Sequence, residues 1–205
     1  WLLVGWLGIS DALNTVLFFA AYQRTTVAIA VLTHYLTPIF IALAAPFVVH
    51  EKLGPRTKVA VAVSFLVLFL LLAPWRDGVS SSDALGAVLG AGSAVFYASN
   101  VLTNKRLAKV FSGSEMMFFH GLVGTPLLWA LVPWRSFSEV NGSALGIVLA
   151  GSLGLGSVGG LAFSWGLKRI KASHASVLTL LEPFVAVTTA AIFLAQGIEA
   201  ASIAG

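Results

Sequence analysis

Seven apolar runs alternate with short polar stretches along the chain, at 1–22, 26–49, 59–75, 84–104, 116–133, 143–167 and 172–195. A membrane-spanning helix needs about 20 mostly apolar residues, and a shorter run suffices where flanking side chains reach the interface. None of the runs has the period-two alternation that a strand of a membrane barrel requires. The pattern therefore predicts an all-α fold, a polytopic membrane helix bundle with seven spans.

A second regularity lies on top of the first. Moving from Pro38 to Pro183 carries the stretch around Tyr22–Glu51 onto that around Leu167–Gln196 without a gap, and Phe18/Phe163, Arg24/Arg169, Ala30/Ala175, Leu36/Leu181 and Pro38/Pro183 are identical in that register. The two copies are the second and seventh spans. An odd number of crossings separates them, so they enter the membrane from opposite sides. Inverted-topology repeats of this kind characterise many secondary transporters, whose binding site lies at the midplane between the halves. Proline has no N–H to donate, so Pro183 leaves the carbonyl of Thr179 without its helical partner at the depth where Glu182 sits. A carboxylate near the middle of an apolar run costs roughly 2.5–3.5 kcal/mol on insertion scales, so it is expected to be neutralised, paired or turned to a cavity.

Composition agrees with the pattern. The chain of 205 residues is 58% hydrophobic and 10% charged, with a mean hydropathy of +0.94. The 20 glycines suit helices that approach backbone to backbone in lipid. With no cysteine, disulfides and thiolate metal sites are excluded. No leader peptide is visible and Trp1 stands inside an apolar run, a start expected of a piece of a longer chain.

The net charge of +4 points away from nucleic acid once its distribution is read. If the spans alternate in direction, nine basic residues fall on one side: Lys52, Arg56, Lys58, Lys105, Arg106, Lys109, Lys168, Arg169 and Lys171. Only Arg24, Arg76 and Arg135 fall on the other, and the two groups account for all 12. By the positive-inside rule the first side is cytoplasmic, and a multi-pass protein of the cell membrane, a bacterial inner membrane, is expected.

The motifs that carry the repeat, small residues followed by L-x-P in 33–38 and by L-L-E-P in 180–183, then the acid Glu51 after Pro38, resemble the paired repeats of the EamA family of the drug/metabolite transporter superfamily. The resemblance implies ten helices and the carriage of small metabolites. It makes residues 1–75 the last three helices of a first repeat and 84–205 the first four of a second, with two helices missing upstream and one downstream. One departure is that Gln196 stands where the first copy has Glu51.

Helical spacing sorts the polar residues of the spans onto faces. Ala175, Thr179, Glu182, Ala186 and Thr189 share one stripe, and their repeat partners are Ala30, His34, Thr37, Ile41 and Ala44. Two readings of this pair of stripes are open. In one they line a central cavity in which Glu182 and His34 bind substrate or exchange a proton; in the other Glu182 caps a proline-weakened helix and His34 bonds a neighbouring helix. Asp11 and Asn14 share a face of the first span and are expected as a site for an ammonium, a hydroxyl or a proton, the alternative being a helix-to-helix hydrogen bond. In the fourth span Gly86, Gly90, Ser93, Tyr97, Asn100 and Asn104 form a stripe in which Tyr97 and Asn100 are expected to face a ligand and Asn104 to cap an end. Gly156 and Gly160 are expected on a packing face, Trp165 in an interfacial belt, and His50, His120 and His174 hydrogen-bonded or solvated.

The function expected from these features is secondary transport of a small organic metabolite, such as an amino acid, by alternating access, as an exporter or importer, with or without proton coupling. No phosphate-cradling loop, HExxH or GxSxG is present, so ATP coupling and a membrane-embedded enzyme are disfavoured. No span contains a lysine for a retinal Schiff base. A truncated or engineered membrane scaffold is the remaining alternative. The expected partners are a small-molecule substrate and the lipid bilayer, without nucleic acid, cofactor or metal; the substrate and the oligomeric state are left open.

Overall fold

The computed structural model describes residues 1–52, 54–72, 80–131 and 141–194. Within them the chain is helical: α1 (Leu2–Tyr22), α2 (Val27–His34), α3 (Thr37–Val48), α4 (Pro55–Leu72), α5 (Ser81–Leu107), α6 (Gly113–Leu131), α7 (Gly142–Gly151), α8 (Ser157–Leu167), α9 (Ala172–Thr179) and α10 (Glu182–Leu194). A π-helical turn, Ser152–Gly156, joins α7 to α8. Arg76, Arg135 and Gln196 lie outside the described residues, as does the side chain of Ala186.

The hydropathy pattern marks one span in each copy of the repeat, with Pro38 and Pro183 as its helix-breaking residues, and in the structure each of these spans is two helices. The first breaks between His34 and Thr37, the second between Thr179 and Glu182, in the same register about the two prolines. The cause is the absent N–H of Pro38 and Pro183. At the first break the Thr37 hydroxyl donates to the His34 carbonyl at 2.7 Å, the acceptor that Pro38 cannot serve. The second copy has a carboxylate at that position.

The two broken helices run in opposite directions against each other. Ile41 and Ala45 of α3 pack with Ala172 and Ala175 of α9, while Tyr35 before α3 reaches Glu182 at the start of α10. The inverted repeat is thus also a contact between its copies. Among the described residues, four helices are by length and composition apolar and long enough to cross a membrane, Leu2–Tyr22, Val27–Val48, Ser82–Leu107 and Gly142–Leu167, the second and fourth taken through their interruptions. The remaining expected spans correspond to α4 and α6, of 18 and 19 residues, and to the interrupted pair α9 and α10.

At the centre of the bundle, α5 packs along α1, α2 and α3, and small residues set the spacing. Gly86 faces Thr25, and Gly90 faces Thr33 and the Ala30 carbonyl. Gly8 of α1 meets Gly124 of α6 so closely that a Cβ on Gly8 would stand 2.8 Å from the Gly124 nitrogen. The expected packing face in 151–160 is realised at Gly160, which faces Met117; Gly156 lies beside the widened turn, where a Cβ would meet only the Gly151 carbonyl at 3.5 Å. Trp165 has the Arg169 guanidinium 3.5 Å over its ring.

One end of the bundle is closed by charge. Glu51 accepts from the backbone N–H of Ala172, the first residue of α9, at 2.7 Å. Lys105 donates to the carbonyls of Leu167 and Ile170, each at 2.6 Å, and lies 3.6 Å from Glu51. The two side chains therefore satisfy the facing ends of α8 and α9, where carbonyls and N–H groups lack helical partners. Lys171 adds a bond to the Lys52 carbonyl, and Thr57 contacts His174.

Gly8→Ala is expected to lower stability by about 1–3 kcal/mol, because the new methyl meets the Cβ of Val123 and the Gly124 backbone nitrogen, neither of which is the far end of a flexible side chain. Thermal unfolding in detergent checks it against Gly5→Ala, which meets nothing within 4 Å; equal midpoints for the two variants exclude the close approach of α1 and α6.

Candidate functional site

The helix breaks open a cavity of about 350 Å³ between α1, α2, α3, α5 and α9–α10. Six of the eight residues singled out by spacing line it, namely Asn14, His34, Thr37, Tyr97, Thr179 and Glu182, together with Tyr35, Phe18, Phe19 and Tyr22. Aromatic rings thus form much of its wall. A volume of this size is within the range of small-molecule sites, roughly 300–1,000 Å³.

The polar groups in this cavity differ in what they still offer. The Thr37 hydroxyl is taken up by His34 O, and the Thr179 hydroxyl by Ser176 O at 2.8 Å, so both threonines present only lone pairs. His34 is held by rings on two sides, Phe18 at 4.4 Å and Tyr97 at 5.4 Å with only 27° between their planes. Its Nδ1 lies 2.8 Å from Ser93 Oγ. That hydroxyl already donates to the Gly90 carbonyl at 2.7 Å, so it accepts here and Nδ1 carries the proton. A neutral His34 then presents Nε2 as an acceptor. The Tyr35 hydroxyl donates to Glu182 Oε2 at 3.1 Å, and the Oδ1 of Asn14 is buried without a hydrogen-bond partner. The cavity therefore combines rings with acceptors.

Asp11 and Asn100 are placed elsewhere, in a second cavity of about 280 Å³ that also includes Tyr97, Asn104, His120, Gly160 and Ser164. Asp11 Oδ2 lies 2.9 Å from His120 Nε2. Asn100 is buried, and its amide N–H groups go to α1, to the Leu7 carbonyl at 2.8 Å and to Ser10 Oγ at 3.4 Å. Asn104, expected as an end cap, instead borders this cavity with its Oδ1 buried and unbonded. A wider opening of about 860 Å³ along α8 to α10 again includes Tyr97 and Glu182. Tyr97 is common to all three spaces. Among the described residues no cluster of His, Asp or Glu is arranged to hold a metal ion.

Spacing alone missed Tyr35, Phe18 and the pairing of His120 with Asp11. The only sequence signal for Tyr35 is its place between the repeated proline and His34, where the break takes it off the regular helical stripe.

Residues 84–205 match the EamA-like transporter family. An uncharacterized transporter of Archaeoglobus fulgidus is 27% identical over 184 residues, covering 88% of this chain and 63% of that protein. One of Bacillus subtilis is 25% identical over 187 residues, covering 88% of this chain and 58% of that protein. The chain therefore spans less than two thirds of the length of these two relatives. A riboflavin transporter of Vibrio cholerae is 31% identical over 118 residues, 57% of this chain and 37% of that protein. A solved crystal structure superimposes with a TM-score of 0.80 over 98% of this chain and 69% of the other, at 20% identity, a likeness of fold alone.

Ser93→Ala removes the acceptor from the buried Nδ1–H of His34 and is expected to cost about 1–3 kcal/mol. Unfolding of the variant in detergent checks this; wild-type stability excludes the tautomer assigned to His34.

Proposed function

Because the chain belongs to the EamA-like transporter family, we propose that it forms part of a secondary transporter that moves a small organic metabolite across the cell membrane by alternating access. Residues 1–75 and 84–205 contribute to its two inverted repeats, and the basic loops face the cytoplasm. The names of the relatives favour transport over catalysis. The observation that carries the reading is the 350 Å³ cavity at the crossing of the two proline breaks, where Tyr35 of one copy meets Glu182 of the other. A site made from both copies changes shape when the halves rock, which is what alternating access requires.

The cavity favours a planar ligand carrying hydrogen-bond donors. Phe18, Tyr22, Tyr35 and Tyr97 supply ring faces, while His34 Nε2 and Glu182 supply acceptors. Riboflavin, a planar ring system with an imide N–H and a hydroxylated chain, has this chemistry and is the first ligand to test, given the names of two partial relatives. In proteoliposomes, His34→Ala and Glu182→Gln are each expected to lower riboflavin flux at least about tenfold, the order expected when a binding contact of about 1.4 kcal/mol is lost. Wild-type flux in both variants removes the cavity from the transport path.

Glu51 and Lys105 keep the basic end shut in this arrangement, so the cavity is reached from the opposite side. A cysteine placed at Thr179 in this cysteine-free chain reports that access. Impermeant maleimide is expected to label it from the far side only, and from both sides once Lys105→Met releases the ends of α8 and α9. Unchanged one-sided labelling in the double variant excludes the closing role of Lys105.

A further inference from the structure

We propose that Asp11 and His120 form the site of a coupling proton, separate from the cavity for the organic ligand and joined to it through Tyr97. The inference rests on the transport reading above. Asp11 is the tenth residue of the 21-residue α1, and His120 the eighth of the 19-residue α6, so both stand near the middle of their helices. Their side chains meet at 2.9 Å beside a cavity of about 280 Å³ and remain partly open to it, at 26% and 36%.

The groups that face this pair define its charge. From α5 come the Tyr97 phenol and the amides of Asn100 and Asn104; from α6, besides His120, come Met116 and Met117; from the π-helical turn and α8 come Gly156, Gly160, Phe163 and Ser164. None of these carries a fixed charge. His34 stands beyond Tyr97, in the other cavity, and Lys105 is engaged with the carbonyls of Leu167 and Ile170. Among the described residues the pair is thus the only charged element lining its cavity. With a neutral imidazole, Nε2–H donates to Asp11, Nδ1 holds a lone pair, and the pair bears one negative charge. One proton from the medium bonds to Nδ1 and makes the pair neutral overall; its release reverses the step, and no other bond changes.

Charge at this depth is strongly disfavoured, so the loaded and empty pair favour different surroundings. Tyr97 is where that difference reaches the ligand. It lines both cavities and stacks on His34, which faces the proposed ligand. A proton site apart from the ligand site lets both be occupied together, which coupling by two-site linkage needs.

The test uses the full chain in lipid vesicles with riboflavin as probe. The readout is the ratio of flux with an imposed pH gradient to flux without one, which is insensitive to overall activity. A ratio that departs severalfold from one in the wild type, and returns to one in Asp11→Asn and in His120→Gln, is expected. Wild-type ratios in both variants overturn the proposal, as does a wild-type ratio of one. If no riboflavin moves, the ligand assignment fails separately. The pH-induced infrared difference spectra of the same vesicles then decide: carboxylate and imidazole bands that change together in the wild type and lose that concert in Asp11→Asn support the site, and superimposable spectra overturn it.

Discussion

The constraint on which this structure depends is the missing N–H of two prolines in the same repeat register. An unpaired backbone carbonyl within a bilayer costs several kcal/mol, so each break must find a donor or open onto polar space. In the first copy the Thr37 hydroxyl supplies the donor to His34 O. In the second, Glu182 occupies the matching position with its carboxyl group turned to the other copy. It instead accepts from Tyr35, across from the other break. The first break is closed by its own side chain, while the second depends on a cavity and on a partner from the opposite copy. The polar centre of the bundle follows from that difference.

The other end of the same helices obeys a related rule. A broken span has more termini than a continuous one, and each terminus leaves backbone groups unserved. Glu51 sits at the N-terminus of α9, where the helix dipole favours an anion, and Lys105 gathers the carbonyls at the end of α8, where it favours a cation. Both side chains are largely buried, at 16% and 14% exposure, so their mutual attraction and these backbone bonds together offset desolvation. The contacts exist only while the α8–α9 turn is docked against α5 and the chain after α3. Local satisfaction of helix ends and closure of one end of the bundle are therefore one set of bonds.

Much of the architecture was legible in the sequence because it rests on local properties. Hydropathy marks where chain crosses lipid, and a gap-free repeat with a helix-breaking proline at a fixed place marks the position of the two breaks. Helical spacing brought His34, Tyr97 and Glu182 onto inward stripes because each lies within a turn or two of regular helix. It failed to pair Asp11 with His120, which are remote in sequence and meet only because Gly8 and Gly124 let α1 and α6 approach closely. It also could not tell that Asn100 would turn to the Leu7 carbonyl of α1. Faces can be read from one helix; neighbours cannot.

The repeat separates two kinds of position. Where the copies are identical, at Ala30/Ala175, Leu36/Leu181 and Pro38/Pro183, the residues pack or break the chain and serve the architecture of either copy equally. Where they differ, at His34/Thr179 and Thr37/Glu182, the side chains converge on one cavity from the two copies, joined by Tyr35, whose counterpart Leu180 packs instead with Leu32 and Leu68. A perfectly symmetric pair of breaks would place two threonines, or two acids, about the axis. Two facing acids in this setting would repel, and two threonines would close both breaks with their own hydroxyls. Divergence of the copies gives the centre an acid, an imidazole and a phenol at once, and α5 adds Tyr97 from outside the repeat pair. Phe18 aside, which is identical in both copies and lines the cavity, the symmetric residues thus determine where the cavity lies, and the asymmetric ones determine what polar chemistry it presents.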